Sequence, residues 1–387
     1  MSKLILSRKI FLRLDPLARK LFRLVAAVMV AGALAGCQSL ARVPYLPQQL
    51  AASSPSFRYD LTEPSSQRRF VADLENTVVN APGGDALAIS GGGANGAFGA
   101  GVMYGWSLRG GRPRFDVVTG VSAGALVAPF VFAGPQFDGE LKSAFVDGRS
   151  QKLMRFRGLG ALFKPGLYRG DPLRKLVHQS LTPALIDAVA REHAKGRRLY
   201  IATVSLDAQR QVVWDVGELA RRGDPSSLQM LEDILVASAS VPGVFPPVLI
   251  RVQNGANAVL EMHVDGGAVS NFFIWPEDFP IESESKGRLS RVFVLLNSRV
   301  DPEFNVVKYG AVKIASRSFE TMQKYATARQ IKYINAISEQ RGVDLFVAEI
   351  PVDYSDGFLD FSQSRMGELF SRGVELGESG NAFLRRQ

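Results

Sequence analysis

Phe115-Asp116-Val117-Val118-Thr119-Gly120-Val121-Ser122-Ala123-Gly124-Ala125-Leu126-Val127 decides how this 387-residue chain is read. Residues 115–119 form a short apolar strand. The strand runs straight into Gly120-x-Ser122-x-Gly124, and a helical apolar pattern starts at Ala123. A serine on a tight strand-to-helix turn needs small neighbours, because its backbone is strained and the flanking chains come close. Its hydroxyl projects from the turn, and the N-terminus of the next helix favours developing negative charge. That is the layout of a nucleophilic serine on an α/β scaffold.

The same alternation extends in both directions. Residues 86–90 read as a strand ending in a glycine run, and 96–108 as a small-residue helix. Strands are expected at 198–205, 211–216, 258–264, 291–297 and 343–351. Helices are expected at 228–239, along 304–340 with a break near Gly310, and at 363–376, where Met366, Leu369, Phe370 and Val374 share a face. Strands alternating with helices predict a mainly parallel sheet covered on both faces.

Gly91-Gly92-Gly93-Ala94-Asn95-Gly96 fits the G-x-G-x-x-G dinucleotide pattern after a strand. That pattern wants an acid at the end of the second strand, whereas Asp116 stands at the start of its strand. The better reading is an oxyanion hole. Consecutive glycines expose N–H groups that no side chain covers, and such fixed donors each stabilise a tetrahedral oxyanion by roughly 3–4 kcal/mol.

A nucleophilic serine needs a base. The three histidines are His178, His193 and His263. His263 could serve a serine–acid–histidine order only with an intervening acid such as Asp233. Asp265 ends a strand and is followed by Gly266 and Gly267, so its carboxylate is presented at a tight turn. His263 shares its face about 7 Å back along the strand and reads as a packed strand residue. An aspartate is a weak base in water, with a pKa near 3.9. It can act here only if burial raises that value and if it touches Ser122.

The glycine run, the Ser122 turn and the Asp265 turn occur in this order. Ala237-Ser238-Ala239-Ser240-Val241-Pro242-Gly243-Val244-Phe245-Pro246-Pro247 lies between the last two. Together they resemble the patatin-like phospholipase family, strongly over 84–275 and more loosely at 358–376. The resemblance implies a three-layer α/β/α fold with a central, mainly parallel sheet and a Ser–Asp dyad without histidine. It implies Ser122 as nucleophile, Asp265 as proton acceptor, and an oxyanion hole among Gly91, Gly92, Gly93 and Ala94. Gly96, Gly120, Gly124, Gly266 and Gly267 are its motif glycines. It implies an acyl ester of a phospholipid or other lipid as substrate, with no cofactor and no metal. One position departs from the pattern: Asn95 stands where many members carry Arg or Lys.

The leader carries a different message. Seven basic residues and one acid precede an apolar run at 24–36, too short to span a bilayer and suited to a signal sequence. Leu34-Ala35-Gly36-Cys37 resembles the bacterial lipoprotein signal, which implies acylation of Cys37, the only cysteine. Gln38 after it points, by the same resemblance, to the outer membrane of a bacterial envelope. The expected organisation is a signal over 1–36, lipidated Cys37 with a flexible tether over 37–80 that carries one short helix near 66–80, and a catalytic domain over 81–387. Beyond the leader, 39 basic residues face 36 acidic ones. That near balance removes the clustered footprint a nucleic-acid partner needs.

Residues 151–170 interleave Lys152, Arg155, Arg157, Lys164 and Arg169 with apolar side chains and no acid. The segment reads either as a basic lid for an anionic lipid surface or as a connection packed into the core. Two other functions compete with the lipid hydrolase: a Ser–His–Asp esterase using His263, and an envelope lipoprotein that binds lipid or protein without catalysis.

Overall fold

The computed structural model describes residues 42–77, 83–158, 165–276, 289–352 and 357–386. The leader, Cys37 and residues 159–164 of the basic segment fall outside them. Within the described residues the chain order opens with α1 (Pro47–Ser53), β1 (Arg58–Asp60), α2 (Pro64–Thr77), β2 (Gly84–Ile89), α3 (Gly96–Arg109), β3 (Val117–Val121) and α4 (Ala123–Ala133). It continues through α5 (Asp138–Val146), α6 (Asp171–Ser180), α7 (Pro183–Ala194), β4 (Arg198–Ser205), β5 (Arg210–Asp215), α8 (Val216–Arg222) and α9 (Pro225–Ser238). It closes with β6 (Val248–Asn254), β7 (Asn257–Asp265), β8 (Leu289–Leu295), α10 (Ala311–Arg341), β9 (Asp344–Ala348), α11 (Gln363–Ser379) and β10 (Leu384–Arg385).

The five central strands, β4-β3-β2-β8-β9, are all parallel. Strand residues alternate strictly between the two faces, as a period of two requires. Leu87, Ile89, Val118, Ile201 and Phe293 point into one core, roofed by α3, α4, α7, α9 and α11. Ala86, Ala88, Val117, Tyr200 and Val292 point into the other, beneath α2, α10 and residues 272–275. The result is the expected three-layer α/β/α arrangement. Its margins are antiparallel: β5 pairs with β4, and β10 with β9. The short β4–β5 link permits nothing else, because a parallel crossover needs a dozen or more residues.

Glycines set the closest helix contact. A Cβ on Gly101 would meet Phe370 O at 2.1 Å, and one on Gly373 would meet Phe98 O at 2.2 Å. The backbones of α3 and α11 therefore touch directly, and α11 is held against the helix that follows the glycine run.

The tether expected over 37–80 is not what residues 42–77 form. β1 adds to the sheet edge, with Arg58 opposite Trp214 and Tyr59 opposite Val213. Phe70 of α2 is fully buried, with ring centroids 5.4 Å from Tyr59 and 5.0 Å from Tyr200. Both tyrosine hydroxyls donate to Asp73, at 3.0 and 2.6 Å. Upstream, Arg42 and Tyr45 both bond Asp207, Tyr45 at 2.6 Å. The prolines that suggested a tether punctuate short docked elements. Their apolar partners lie more than a hundred residues away, so no local periodicity reveals them.

Candidate active site

β4 is eight residues long and β3 five. One edge of β4 is taken by β5. The other pairs with β3 only as far as Ala202, opposite Val121. The last three residues of β4 then pair with β7 arriving from the opposite direction, with Asp265 opposite Thr203. The C-terminal ends of β3 and β7 therefore meet head to head on one flank of β4. Ser122 leaves the first and Asp265 ends the second.

Ser122 Oγ donates to Asp265 Oδ2 at 2.5 Å, across 143 residues of chain. Ser122 has φ 55° and ψ −123°, a left-handed conformation rare for a side chain with a Cβ and a mark of stored strain at functional positions. Its N–H is held by Ser238 Oγ at 3.0 Å, and that hydroxyl donates to Ala202 O at 2.7 Å. Asp265 N–H donates to Ser240 O, and Asp265 Oδ1 accepts from Gly267 N at 2.7 Å. Both partners are buried, Ser122 6% and Asp265 2% exposed. Burial pushes the Asp265 pKa up to about 7, against the opposing pull of the hydrogen bonds from Ser122 and Gly267. A carboxylate poised there can accept a proton near neutral pH.

The glycine run lies against the serine: a Cβ on Gly91 would stand 3.7 Å from Ser122 Oγ. The structure narrows the expected set of oxyanion donors. Gly91 N–H already donates to Asn271 O at 3.0 Å, and Ala94 N–H to Phe358 O at 2.8 Å. Among the described residues, the N–H groups of Gly92 and Gly93 have no such partner. Gly93 has φ 56°, and a Cβ there would lie 2.1 Å from Phe358 O, so only glycine fits. Asn297 fixes the loop from behind, with Nδ2 donating to Ser90 O at 2.8 Å and Oδ1 accepting from Gly99 N at 3.0 Å. The motif glycines are also steric: a Cβ on Gly124 would meet Ile89 O at 2.2 Å, and one on Gly266 would meet Ala202 O at 2.6 Å.

A cleft opens above the pair, lined by the glycine loop, Asn271, Glu320, Gln323 and Phe358 among others. The side chain of Gln323 on α10 bonds Gly267 O and covers the Asp265 turn. Arg365 on α11 brings its guanidinium to 3.5 Å from Asn95 Oδ1. A cation from another element thus stands beside the position that lacks one in sequence.

The other histidines lie elsewhere. His263 is fully buried, with Nδ1 2.9 Å from Thr203 Oγ1 and Nε2 3.0 Å from Glu261 Oε2. Neither ring nitrogen has Ser122 as its partner. Asp233, the acid a triad would need, pairs with Arg174 at 2.6 Å. Ser238, Asn271, Asn297 and Phe358 complete the site without any signal of their own. Ser238 lay within a motif quoted only for its resemblance, Asn271 and Phe358 contribute through their backbone carbonyls, and Asn297 through its side-chain amide. Of the basic segment, 156 and 168 form a bridge and Leu153 is buried, while Phe156 is largely exposed. Among the described residues no helix is long and apolar enough to cross a membrane, and no group of three or more His, Cys, Asp or Glu could hold a metal ion.

Residues 87–277 match the family model described as patatin-like phospholipase. The uncharacterized protein YqhO of Bacillus subtilis (strain 168) is 29% identical over 230 residues, which are 56% of this chain and 74% of that protein. The crystal structure of VipD from Legionella pneumophila aligns with a TM-score of 0.42 at 13% identity, covering 79% of this chain and 68% of that one.

Proposed function

The chain belongs to the patatin-like phospholipase family over residues 87–277, and on that premise we propose that it hydrolyses acyl esters of lipids through a Ser122–Asp265 dyad. The observation that carries this reading is the 2.5 Å bond from Ser122 Oγ to a buried carboxylate whose pKa burial raises to about 7. Ser122 Oγ attacks the ester carbonyl carbon and gives its proton to Asp265. The carbonyl oxygen becomes an oxyanion, held by the N–H groups of Gly92 and Gly93 and by the N-terminus of α4. When the tetrahedral intermediate collapses, the alkoxide leaves with the proton from Asp265, and an acyl-enzyme remains on Ser122. Water then attacks, giving its proton to Asp265. The second collapse frees the fatty acid, and that proton returns to Ser122.

The test supplies purified protein with defined phospholipids, lysophospholipids, triacylglycerols and short esters, with products read by mass spectrometry. Hydrolysis is expected in the wild type and lost in Ser122→Ala and Asp265→Asn. Turnover surviving both substitutions would sink the dyad. A fluorophosphonate probe should label the wild type and not Ser122→Ala. Absence of labelling would favour the binding lipoprotein.

The envelope location belongs to the same proposal. Acylation of Cys37 would leave five residues before Arg42, which is docked on Asp207. Five residues reach at most about 17 Å, so the domain would sit close against the bilayer that carries its substrate. A palmitate label incorporated into wild type and absent from Cys37→Ser supports this. Equal labelling of both would remove it.

A further inference from the structure

The long helix α10 overreaches the sheet it packs on. Its 31 residues span about 46 Å, whereas the seven residues of β8 before it span about 23 Å. Gly342 caps the helix and β9 starts at Asp344, so the C-terminal end of α10 lies where the parallel strands begin. Gln323 already reaches Gly267 O beside the dyad, and Thr327 is the first buried residue among the described side chains of α10. The turns before Gln323 therefore rise beyond the strand ends that carry Ser122 and Asp265.

The surface of that projection is apolar. In the loop before it every residue from 304 to 309 is exposed. Phe304 and Tyr309 are fully exposed, and Val306 is 77% exposed. Ile314, Met322 and Tyr325, spaced by eight and three residues, continue it as an exposed stripe on α10. Single exposed apolar side chains are ordinary, whereas a contiguous group of this kind marks an interaction face.

Charge says what the face meets. Lys308 and Lys313 lie within the same stretch and are exposed. Met154 and Tyr168 line one open groove together with Asn305, Lys308 and Lys313. The basic segment noted in the sequence thus forms the facing wall, where Arg155 and Phe156 are exposed. Among the described residues none of these three cations pairs with an acid. The acids nearby are engaged: Glu303 with Arg299 and Lys324, Glu320 with Arg317, and Asp360 with the N–H of Ser362. Asp301 stands exposed at the foot of the loop, one acid against three bases. Exposed aromatic and aliphatic groups interleaved with unpaired bases match a bilayer surface with anionic headgroups. The N-terminal chain arrives at the same end of the sheet, since Arg42 docks on Asp207, two residues past the end of β4.

We propose that this end of the molecule docks on an anionic lipid bilayer, with Phe304, Val306 and Tyr309 seated in its apolar boundary and Lys308, Lys313 and Arg155 on its phosphates. The catalytic cleft, walled by Phe319 and Glu320 of the same helix, then opens toward the lipid. The choice of a lipid partner rests on the hydrolase reading, while the test uses no turnover.

The full chain carrying Cys37→Ser and Ser122→Ala, which is neither acylated nor active, is sedimented with vesicles of phosphatidylcholine alone or mixed with phosphatidylglycerol. Lys308→Glu with Lys313→Glu should lower partition into the mixed vesicles about tenfold or more. Phe304→Ser with Tyr309→Ser should lower partition into both. A local reporter separates this face from the leader, which is common to every variant. Emission of the Phe304→Trp protein should be quenched by lipids brominated on their acyl chains. Emission of the Leu108→Trp protein, altered at an exposed site at the opposite end of α3, should not be. Equal quenching at the two positions, or none at position 304, overturns the proposal. So does a dimer that Phe304→Ser with Tyr309→Ser breaks while vesicle binding stays unchanged, since the face would then belong to a second copy. If the wild type hydrolyses no ester yet the Phe304→Trp protein is selectively quenched, the docking face stands and the hydrolase reading falls. Absence of quenching beside hydrolysis of soluble esters removes the docking face alone.

Discussion

Two buried carboxylates stand four residues apart on one face of β7 and have opposite fates. Glu261 is fully buried but meets Arg58 Nη2 at 2.8 Å and His263 Nε2 at 3.0 Å. Burial pushes its pKa up, yet the hydrogen bond and charge of His263, with the charge of Arg58, outweigh it and hold the value at about 2. Asp265 is as buried but faces a hydroxyl and a backbone N–H rather than a cation, and rests at about 7. The same residue chemistry at the same depth becomes a fixed anion in one place and a proton acceptor in the other. What differs is whether a positive charge is built beside it. The cation at Glu261 comes from β1, in the segment the sequence suggested was a tether.

The comparison breaks most sharply at the dyad. Ser122→Ala and Asp265→Asn should each lower kcat by about 10⁴–10⁶-fold, as removal of a member of a catalytic unit does, measured on a soluble ester. A loss below tenfold in Asp265→Asn would mean that its carboxylate is as inert as that of Glu261.

Next in size is the fixed anion. Arg58→Ala strands Glu261 without its guanidinium and should destabilise the fold by about 3–5 kcal/mol, read by urea unfolding. Replacing Arg58 and Glu261 together by Met and Leu should recover most of that loss. If Arg58→Ala costs under 1 kcal/mol, Glu261 is not held as described.

His263 lies between the two. His263→Ala should cost about 1–3 kcal/mol in stability, since it leaves Thr203 and Glu261 short of a partner, while kcat stays within tenfold of wild type. A collapse of kcat with an intact fold would restore the histidine-dependent esterase.

The smallest effect is on pH dependence. Asp265 acts as its ionised form, so kcat/KM should rise with pH through about 7 and level off above it. Arg58→Ala and His263→Ala should move that midpoint by less than about half a unit, because both side chains act on Glu261. Stability runs in opposite directions for the two acids. Glu261, with a depressed pKa, contributes stability present above its unfolded value near 4.3 and lost as pH falls toward 2. Asp265, with a raised pKa, contributes stability present below about 3.9 and lost as pH rises through about 7. Asp265→Asn should therefore melt higher relative to wild type at pH 8 than at pH 5. The reverse order would contradict the raised value.

Much of this was legible in the chain. The strand at 198–205 and the helix beginning at Ala123 follow from local periodicity, and the structure places both there. The Ser122 turn was legible because small residues on both sides are a local steric requirement. Asp265 stood out because two glycines follow it. Less was visible where partners are distant. Residues 248–254 had no assignment, because β6 is defined by its pairing with β7 and alternates only partly. Phe57 and Tyr59 looked like residues of an irregular stretch and Phe70 like one on a short tether helix, and only Trp214, Tyr200 and Phe273 make them core. Gly91 and Ala94 were expected as oxyanion donors because sequence shows which N–H groups lack a covering side chain. It does not show which carbonyls will reach them.

The sequence by itself determined the alternation around the site, the strained serine turn, the glycine loop and the carboxylate-bearing turn, since each depends on residues within a few positions. Tertiary structure alone decided that Ser122 and Asp265 touch. It did so because β4 outlasts β3 by three residues and leaves an edge on which β7 can arrive from the other side. It also decided which buried acid would have a cation and which would not. Those outcomes depend on side chains brought together from more than a hundred residues apart, where local periodicity carries no information.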